Sequence, residues 1–474
     1  MKGKGKGREN VAKIAVSLLT IGVFLWFSYT SRIQGQILGV VLFALVIWSL
    51  YPGRHLESSI LVILVLTLFQ ASLSPQEFLD SLFSTYGGSG LWIIVSGFVL
   101  AKAMETSGLG RRIALWMATS LGGNPDNIVL SVAVANLAVA PLSPSTTAKA
   151  FLLHPICAGL VEAFNVEKGQ SKYGTALMLM AMAANNICST AFLTATVPNP
   201  ISAQYIREAT GLGLSWLGWA TMALPLTLVL LAASWFICVR IFRPEVEESS
   251  ESLGRMRGLR AELGPMSRGE KLVTTFFAIA LMLWITDGFH SLNSGIISLA
   301  LSLILFAPRI GVMKMEGFAG DVPWGSISLF AASMFLANAV GKWRALDPIA
   351  HSVFDVLNLS SLDSILFLFL VVLVSMLLHL AFTSTTVYAT VMVPLVISLA
   401  QLQGSGVASI ALPVAYLAPV AVILPVNTIP NIVFYSSGYF NHRQMLVYGL
   451  TISFISVILV LSLGLPYWKL LGLV

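Results

Sequence analysis

Long apolar segments separated by short polar connections dominate this sequence. Of its 474 residues, 57% are hydrophobic and 10% are charged, whereas soluble proteins have about 25% charged residues. Apolar runs of about 16 to 28 residues match the length of membrane-spanning helices. Backbone polar groups in hydrocarbon must be satisfied internally, so only helices and closed barrels cross a bilayer. The run lengths predict helices and exclude a soluble protein.

The hydropathy pattern predicts an all-α polytopic membrane protein with about eleven transmembrane helices. The first would cover about Lys13 to Thr30 and stay uncleaved, because no small-residue cleavage pattern follows it. The other spans are predicted near 33–51, 56–73, 89–118, 174–197, 214–242, 272–287, 293–308, 324–341, 407–434 and 445–468.

Two remaining apolar stretches, near 126–165 and 362–402, are each interrupted midway by polar, Thr-rich sequence. An apolar segment broken at its centre is typical of a re-entrant hairpin whose tip stays inside the protein. We therefore predict two hairpins in addition to the eleven spans.

These segments divide the chain into four parts: a first helix (1–30), a first repeat (31–242), a cytoplasmic linker (243–271) and a second repeat (272–474). Each repeat would contain scaffold helices, a hairpin, a broken helix and a final helix. In the first repeat the scaffold helices end near 118, the hairpin covers about 124–168, the broken helix about 172–199 and the final helix about 214–242. In the second repeat the scaffold helices end near 345, the hairpin covers about 360–402, the broken helix about 407–434 and the final helix about 445–470.

The net charge of +6 follows from an uneven distribution of 27 basic residues, most of which fall on one side of the predicted topology. Basic residues in short loops resist translocation, so this bias predicts a cytoplasmic-membrane protein with its N-terminus in the cytoplasm and its C-terminus outside. It also explains the charge without nucleic acid as a partner. Three cysteines in apolar surroundings and six scattered histidines predict neither a disulfide framework nor a structural metal site.

Two motifs recur in the same order in both halves. Ser-Thr-Thr lies at the centre of each predicted hairpin, followed by a proline ten residues after the serine, and Thr-x-Pro-Asn lies in each predicted broken helix. Such matched recurrence indicates an internal repeat. The residues concerned are Ser145, Thr146, Thr147 and Pro155 with Thr196, Pro198 and Asn199, and Ser384, Thr385, Thr386 and Pro394 with Thr428, Pro430 and Asn431.

An odd number of predicted spans separates the two Ser-Thr-Thr tips, so the second repeat is inverted relative to the first. The hairpins then enter from opposite sides and their tips meet near the midplane, where transporters with inverted repeats place their sites. Pro198 and Pro430 are expected to break their helices and free carbonyl groups.

The four motifs contain hydroxyl and amide groups but no acidic residue. Helix N-termini at hairpin tips present unpaired N–H groups and a positive dipole end, which favour an oxyanion. The motifs therefore argue against a cationic substrate and against a carboxylate proton relay.

Each feature also has a structural interpretation. Ser and Thr in membrane helices bond to carbonyls one turn back or hold helices together. Lys149 either reaches the membrane interface or supplies positive charge to the site. Lys102 and Glu105 are spaced as an intrahelical pair. An intramembrane enzyme is a remote alternative, since His154 has no orienting acid near Ser145.

At these motifs the chain resembles the divalent anion:sodium symporter family, whose members carry dicarboxylates, tricarboxylates or sulfate. The resemblance implies a site lined by Ser145, Thr146, Thr147, Ser384, Thr385, Thr386, Thr196, Pro198, Asn199, Thr428, Pro430 and Asn431. It also implies sodium ligands among Ser145, Thr146, Asn186, Cys188, Ser384, Thr385 and Asn427, and no other cofactor.

The chain departs from the family at each tip, where Thr146 and Thr385 replace asparagine, and at Cys188-Ser189, which replaces two glycines. A threonine hydroxyl offers less to an ion than an amide with its carbonyl. The segment PSTTAKA also resembles PSNTARA of the family's sodium-independent exchangers, in which case Lys149 would partly replace the missing cation. Sodium symport and exchange both stay open.

The resemblance further implies a homodimer whose scaffold holds an elevator-type transport domain in the lipid bilayer. We predict that the protein is a secondary active transporter of dicarboxylates or citrate and that it is not an enzyme. Transport of sulfate or another inorganic ion on the same fold is the alternative.

Overall fold

The structure, a computed structural model, describes residues 33–51, 54–71, 75–120, 124–247, 254–255, 258, 261–290, 292, 294–308, 311–314, 320 and 322–474. In these ranges the regular secondary structure is helical. The first predicted span, about Lys13 to Thr30, lies outside these residues. No β-strand occurs within the described ranges, and the predicted all-α fold is confirmed.

The helices of the first half are α1 (Ile33–Leu50), α2 (His55–Ala71), α3 (Pro75–Gly87), α4 (Ser89–Ser107), α5 (Leu109–Ala118), α6 (Pro125–Val139), α7 (Thr146–Glu162), α8 (Lys172–Cys188), α9 (Pro198–Thr210) and α10 (Trp216–Ile241). Those of the second half are α11 (Arg268–Ile285), α12 (Asp287–His290), α13 (Ser294–Ile304), α14 (Trp324–Trp343), α15 (Asp347–Val356), α16 (Ser364–Leu378), α17 (Thr385–Gln403), α18 (Val407–Leu417), α19 (Ile429–Ser436), α20 (His442–Leu459) and α21 (Leu465–Leu470).

Several of these helices are long and apolar enough to cross a membrane. Among the described residues there are seven such segments, Gly90–Ser107, Pro125–Leu142, Trp216–Ile241, Trp324–Trp343, Ser364–Ala381, Thr385–Gln403 and His442–Leu470. Shorter apolar helices cover Ile33–Trp48, His55–Leu68, Gly295–Ile304 and Val407–Leu417. The set is that of a multi-pass membrane protein.

The single span predicted over residues 89–118 is wrong, because Gly108 divides it. Gly108 has a φ of 83°, which ends α4 and starts α5 in a new direction. Glycine adopts this left-handed conformation without the penalty that a Cβ imposes. The second half repeats the device at Arg344, whose φ is 49°, between α14 and α15. The short helices α5 and α15 then pack on the hairpins of their own halves.

The hairpins open to opposite sides of the molecule. We call the side that carries the described residues 242–247 and 261–268 the linker side and the other the far side. Hairpin 1 (α6 and α7) opens to the linker side, where Trp235 Nε1 donates to Asp126 O over 2.9 Å and Arg255 Nη1 donates to Glu162 O over 3.2 Å.

Hairpin 2 (α16 and α17) opens to the far side. Gln401, near the end of α17, shares a cavity with Lys342 at the end of α14. Pro323, immediately before α14, lines a second cavity together with Arg111. A helix of 20 residues is about 30 Å long, so these cavities lie at opposite faces of the protein. The inverted repeat predicted from the motifs is thus present in the fold.

Candidate functional site

Each hairpin tip is the N-terminus of a helix capped by the serine of its Ser-Thr-Thr triplet. Ser145 Oγ accepts a 3.1 Å hydrogen bond from Ala148 N, and Ser384 Oγ accepts a 3.4 Å bond from Val387 N. A capping serine satisfies one of the N–H groups that a helix leaves unpaired in its first turn. The serines shape the tips, and the threonines that follow begin α7 and α17.

The two broken helices are interrupted over about ten residues rather than kinked at a proline. In the first half α8 ends at Cys188 and α9 starts at Pro198; in the second α18 ends at Leu417 and α19 starts at Ile429. The prediction that Pro198 and Pro430 break their helices is therefore wrong in detail. Both occupy the first turn of the following helix, where a missing N–H costs nothing.

The asparagines of the Thr-x-Pro-Asn motifs hold the two breaks with the same hydrogen bonds. Asn199 Nδ2 donates to the carbonyls of Ser189 and Phe192, ten and seven residues earlier, each over 2.8 Å. Asn431 Nδ2 donates to Ala421 O over 2.7 Å and to Leu424 O over 3.0 Å, again ten and seven residues earlier. The equal spacing extends the internal repeat from sequence to side-chain geometry.

Each break is also tied to the hairpin of its own half. Thr194 Oγ1 donates to Pro141 O over 3.0 Å, just before tip 1. Asn427 Nδ2 donates to His379 O over 2.7 Å and to Phe382 O over 3.1 Å, just before tip 2. The helix breaks therefore position the tips.

Neighbouring asparagines at the end of α8 link these pieces across the two halves. Asn185 Nδ2 donates to Thr146 O of tip 1 over 3.1 Å, and Asn186 Nδ2 donates to Asn431 Oδ1 over 3.0 Å. Asn186 and Asn431 are both buried. The structure thus connects both Thr-x-Pro-Asn segments and tip 1 through buried amides, and Asn427 extends the connection to tip 2.

Lys149 is buried beside tip 1, with 2% of its surface exposed. Its Nζ donates to Ser189 Oγ over 2.9 Å and to Ala195 O over 2.8 Å, both in the first helix break. The alternative in which Lys149 reaches the membrane interface is therefore wrong. Its amine is held by these two oxygen atoms of the break, and within the described residues Lys149 forms no ion pair.

Some oxygen atoms of the helix breaks are already engaged in hydrogen bonds. The oxygens of Ser189 and Ala195 already bind Lys149 Nζ. Cys188 Sγ lies 3.8 Å from Ala133 O of α6. A thiol is in any case a poor ligand for a hard cation, which prefers oxygen. In the second half Asn427 Oδ1 accepts one hydrogen bond, from Leu424 N over 2.9 Å. Within the described residues no group of three His, Cys, Asp or Glu side chains could hold a metal ion.

The remaining candidates lie close to the tips but differ in access. Thr147 lines a cavity of about 670 Å³ that opens beside tip 1, together with Ser145 and Lys149. Thr386 is 9% exposed and, like Thr385, lines neither described cavity. Thr196 and Thr428 are buried in the breaks, and Thr428 Oγ1 caps α19 by accepting from Asn431 N over 3.3 Å. Thr147 thus faces a described cavity, whereas Ser384 and Thr385 of tip 2 are half-buried outside both described cavities.

Sequence reasoning missed three groups at this site. The contacts of Asn185 with tip 1 and of Ser189 with Lys149 were not predicted, and Lys102 and Glu105 of the α4–α5 wall were predicted only as an intrahelical pair, which the structure confirms at 3.3 Å. That wall carries Lys102, Glu105 and Arg111. Only the charge of these side chains in an apolar segment could have indicated them.

Comparison with known families decides the class of protein. The family model described as "Sodium:sulfate symporter transmembrane region" matches residues 11–474. The chain belongs to this family. Its membership confirms the resemblance drawn from the motifs and makes the chain a multi-pass membrane transporter rather than an enzyme.

Relatives in this family include named dicarboxylate transporters. The chain is 26% identical to the chloroplastic dicarboxylate transporter 1 of Spinacia oleracea, over 98% of this chain and 82% of that protein. It is 26% identical to the sodium-dependent dicarboxylate transporter SdcS of Staphylococcus saprophyticus, over 90% of each. Among solved structures, the YdaH transporter of Alcanivorax borkumensis shares the fold with a TM-score of 0.56 and 15% identity, over 84% of this chain and 89% of that one.

Proposed function

We propose that this protein is a secondary active transporter of small divalent organic anions, dicarboxylates or citrate, in the cytoplasmic membrane. The observation that carries the proposal is the pair of inverted hairpin tips, each joined to a helix break, with Lys149 buried beside tip 1. The names of the relatives from Spinacia and Staphylococcus support a dicarboxylate as the substrate class.

The site chemistry suits an anion. Thr147 offers a hydroxyl to the cavity, and the first turn of α7 adds the positive end of a helix dipole. Lys149 would contribute a positive charge at tip 1. The hydroxyls of Ser145 and Ser384 cap their helices, so we assign direct contacts with substrate to the threonines of the tips and to the two helix breaks held by Asn199 and Asn431.

We propose that the carrier exchanges dicarboxylates without sodium. Supporting this, Lys149 Nζ places a cation of the protein against two oxygen atoms of the first break, Ser189 Oγ and Ala195 O. A lysine that moves with the tip keeps the charge of the site constant through the cycle. An empty site would then carry an uncompensated buried charge, which disfavours crossing of the empty carrier and favours exchange.

We further propose an elevator mechanism. The hairpins, the broken helices and the helices that follow each of them (α10, α20 and α21) would move together against α1 to α4, α11, α13 and α14, which would form the scaffold of a homodimer. Supporting this division, α5 and α15 each follow a left-handed residue and pack on a hairpin, as connecting arms would. The linker side would face the cytoplasm and the C-terminus the outside.

Flux measurements in proteoliposomes test the proposal. Vesicles loaded with succinate should take up labelled succinate, malate or citrate rapidly in sodium or potassium buffer alike, and unloaded vesicles should take up little. If unloaded vesicles take up the anion rapidly and only in the presence of sodium, the protein is a sodium symporter and the proposed exchange is wrong. Uptake of sulfate in place of the organic anions would favour the inorganic-ion alternative, and no uptake of any anion would refute the proposal.

A further inference from the structure

Three aromatic rings stack between α11 and the first helix break. Trp284, near the end of α11, stacks on Trp216, the first residue of α10, with ring centroids 5.3 Å apart and an interplanar angle of 25°. Trp216 stacks in turn on Phe192 of the break, at 5.4 Å and 17°. Both tryptophans are buried. Stacked rings at these separations stabilise a contact beyond the apolar area that they bury, so the stack joins α11 to the break.

Hydrogen bonds continue from this stack to tip 1. Trp216 Nε1 donates to Thr194 Oγ1 over 3.1 Å, and Thr194 Oγ1 donates to Pro141 O over 3.0 Å. Pro141 lies in the short 3₁₀ turn, Ala140–Leu142, that leads into Ser145 at the tip. Thr194 and Trp216 are both buried, and buried polar groups that lose their partner are costly. The indole of Trp216 therefore fixes the break against the entrance to tip 1.

The second half carries other side chains at the three positions that build this link. Aligned on the Thr-x-Pro-Asn motifs and on the first residues of α10 and α20, the replacements are Leu424 for Phe192, Val426 for Thr194 and His442 for Trp216. The second break is tied to its hairpin by the amide of Asn427 instead. The indole link is therefore not a requirement of the repeated fold, and it is particular to tip 1.

The stack also crosses the boundary between the two bodies of the proposed elevator. α11 packs on α4 and α13, whereas α10 packs on α8 and on α6 of hairpin 1. Trp216 starts α10 at the far side, and Trp284 lies near the far-side end of α11. The tip 1 cavity in this structure lies on the linker side, where Arg111 lines it. Movement of α10 against α11 would separate the two indoles.

We propose that Trp216 is a positioning residue for transport, which holds tip 1 in its anion-binding geometry, and that its stack on Trp284 stabilises the carrier with tip 1 facing the linker side. The inference rests on the proposed function, since it needs a hairpin that moves against α11. Trp216 and Thr194 line neither described cavity, so they act on the anion through Pro141. Trp284 acts through the faces of its ring, because its buried Nε1 has no hydrogen-bond partner among the described residues.

Loss of the hydrogen-bonded link should weaken anion binding. Trp216→Phe keeps a ring in the stack but removes the N–H group, and Thr194→Val removes the hydroxyl. Each should raise the KM for succinate exchange in proteoliposomes about threefold to tenfold. The double variant should be no worse than the more severe single variant, because both substitutions break one link.

Trp468→Phe is the matched control for a buried indole. It removes an N–H group that donates to Met222 O over 3.0 Å and has no part in the link to tip 1. Its melting temperature in detergent should fall about as much as that of Trp216→Phe, whereas its KM should equal that of wild type. A residue that only supports the fold would show the same lack of effect on KM.

Loss of the stack should shift the carrier away from the linker-side state. Ala148→Cys places a thiol in the tip 1 cavity, and the wild type, whose three cysteines are buried, is the blank. A membrane-impermeant maleimide added to inside-out vesicles, which expose the linker side, reports how often tip 1 faces that side. Trp284→Leu should lower the ratio of linker-side to far-side carrier about twofold to tenfold. Trp284→Phe keeps a ring and should restore most of it.

The outcomes separate this inference from the proposed function. A wild-type KM in Trp216→Phe or Thr194→Val, additive effects in the double variant, or an equal rise in KM for Trp468→Phe would overturn the positioning role while leaving the transporter proposal intact. Equal labelling of Trp284→Leu and Trp284→Phe would overturn the role of the stack. If wild type exchanges no anion, the proposed function fails and the inference with it.

Discussion

Asn186 Nδ2 donates a 3.0 Å hydrogen bond to Asn431 Oδ1, and the two residues stand 245 positions apart in the chain. Asn186 ends the first half of one broken helix, and Asn431 begins the second half of the other. Asn186 Nδ2 also donates to Met182 O, and Asn431 Nδ2 holds two carbonyls of its own break. One buried contact therefore sets the position of the first break relative to the second.

Removal of this contact should destabilise the protein and stop transport. Asn186→Ala leaves Asn431 Oδ1 buried without a donor, which costs about 1–3 kcal/mol. Thermal unfolding in detergent and dicarboxylate flux measure both effects, and a double-mutant cycle with Asn431→Ala isolates the pair. Asn136→Ala is the control, since Asn136 Nδ2 bonds only to Val132 O of its own helix. Equal and additive effects at all three positions would contradict a specific coupling.

Thr147 should be required for flux but not for folding. Its side chain faces the cavity, and Thr147→Ala removes one donor from the anion, so flux should fall about tenfold while Thr147→Ser keeps most of it. Thr386→Ala should likewise reduce flux. As a control, Thr451→Ala removes an exposed hydroxyl that bonds only to Val447 O. Normal flux in both tip variants would take the threonines out of the site.

Charge at Lys149 should matter separately from its hydrogen bonds. Lys149→Gln retains donors for Ser189 Oγ and Ala195 O but removes the charge, so the variant should fold and lose about tenfold or more in exchange. Lys149→Met loses the donors as well, and its melting temperature should also fall. Exchange measured with purified protein and the melting temperature in detergent distinguish the two. Full exchange by Lys149→Gln would show that the charge is not used.

The Glu245 carboxylate should make stability depend on pH at the acid end. Partial burial raises the pKa of Glu245, but hydrogen bonds from Ser171 Oγ, Lys172 N and Tyr173 N outweigh it and lower the pKa below 4.5. A depressed pKa contributes stability above the unfolded value that is lost as pH falls through the folded value.

Glu245→Gln should therefore flatten this acid dependence. Because Glu245 is exposed, we expect a loss at neutral pH of no more than about 1 kcal/mol. Melting temperatures between pH 7 and about pH 3.5 measure it. The expectation fails if wild type and variant lose stability in parallel as the pH is lowered.

Gly108 should tolerate a side chain poorly although space is available. No atom lies within 4 Å of a Cβ added there. Gly108→Ala should therefore lower the free energy of unfolding only through the strain of an alanine at a φ of 83°, by about 1 kcal/mol. Gly213→Ala, with equal space and no positive φ, should be neutral or slightly stabilising. Melting temperatures of the two variants compare them, and equal values would show that α4 and α5 can join in another conformation.

Local patterns accounted for much of the architecture. Hydropathy predicted the helices, and the repeated Ser-Thr-Thr and Thr-x-Pro-Asn motifs predicted the inverted hairpins, because a duplicated local structure leaves the same residues in both copies. The bend at Gly108 was missed although SGLG is a local signal, since hydropathy averages across it. The proline break was misjudged because a proline at the start of a helix and one inside it look alike in sequence.

The sequence by itself determined the membrane-spanning class, the duplication and the absence of acidic groups from the motifs, because each depends on residue type and short-range spacing. Tertiary structure decided which atoms meet. Lys149 finds its oxygens 40 and 46 residues away, Asn186 its partner in the other half, and Lys102 a cavity facing tip 1. Buried polar groups must be paired wherever the fold brings a partner. Their pairing therefore follows from packing that no local pattern specifies.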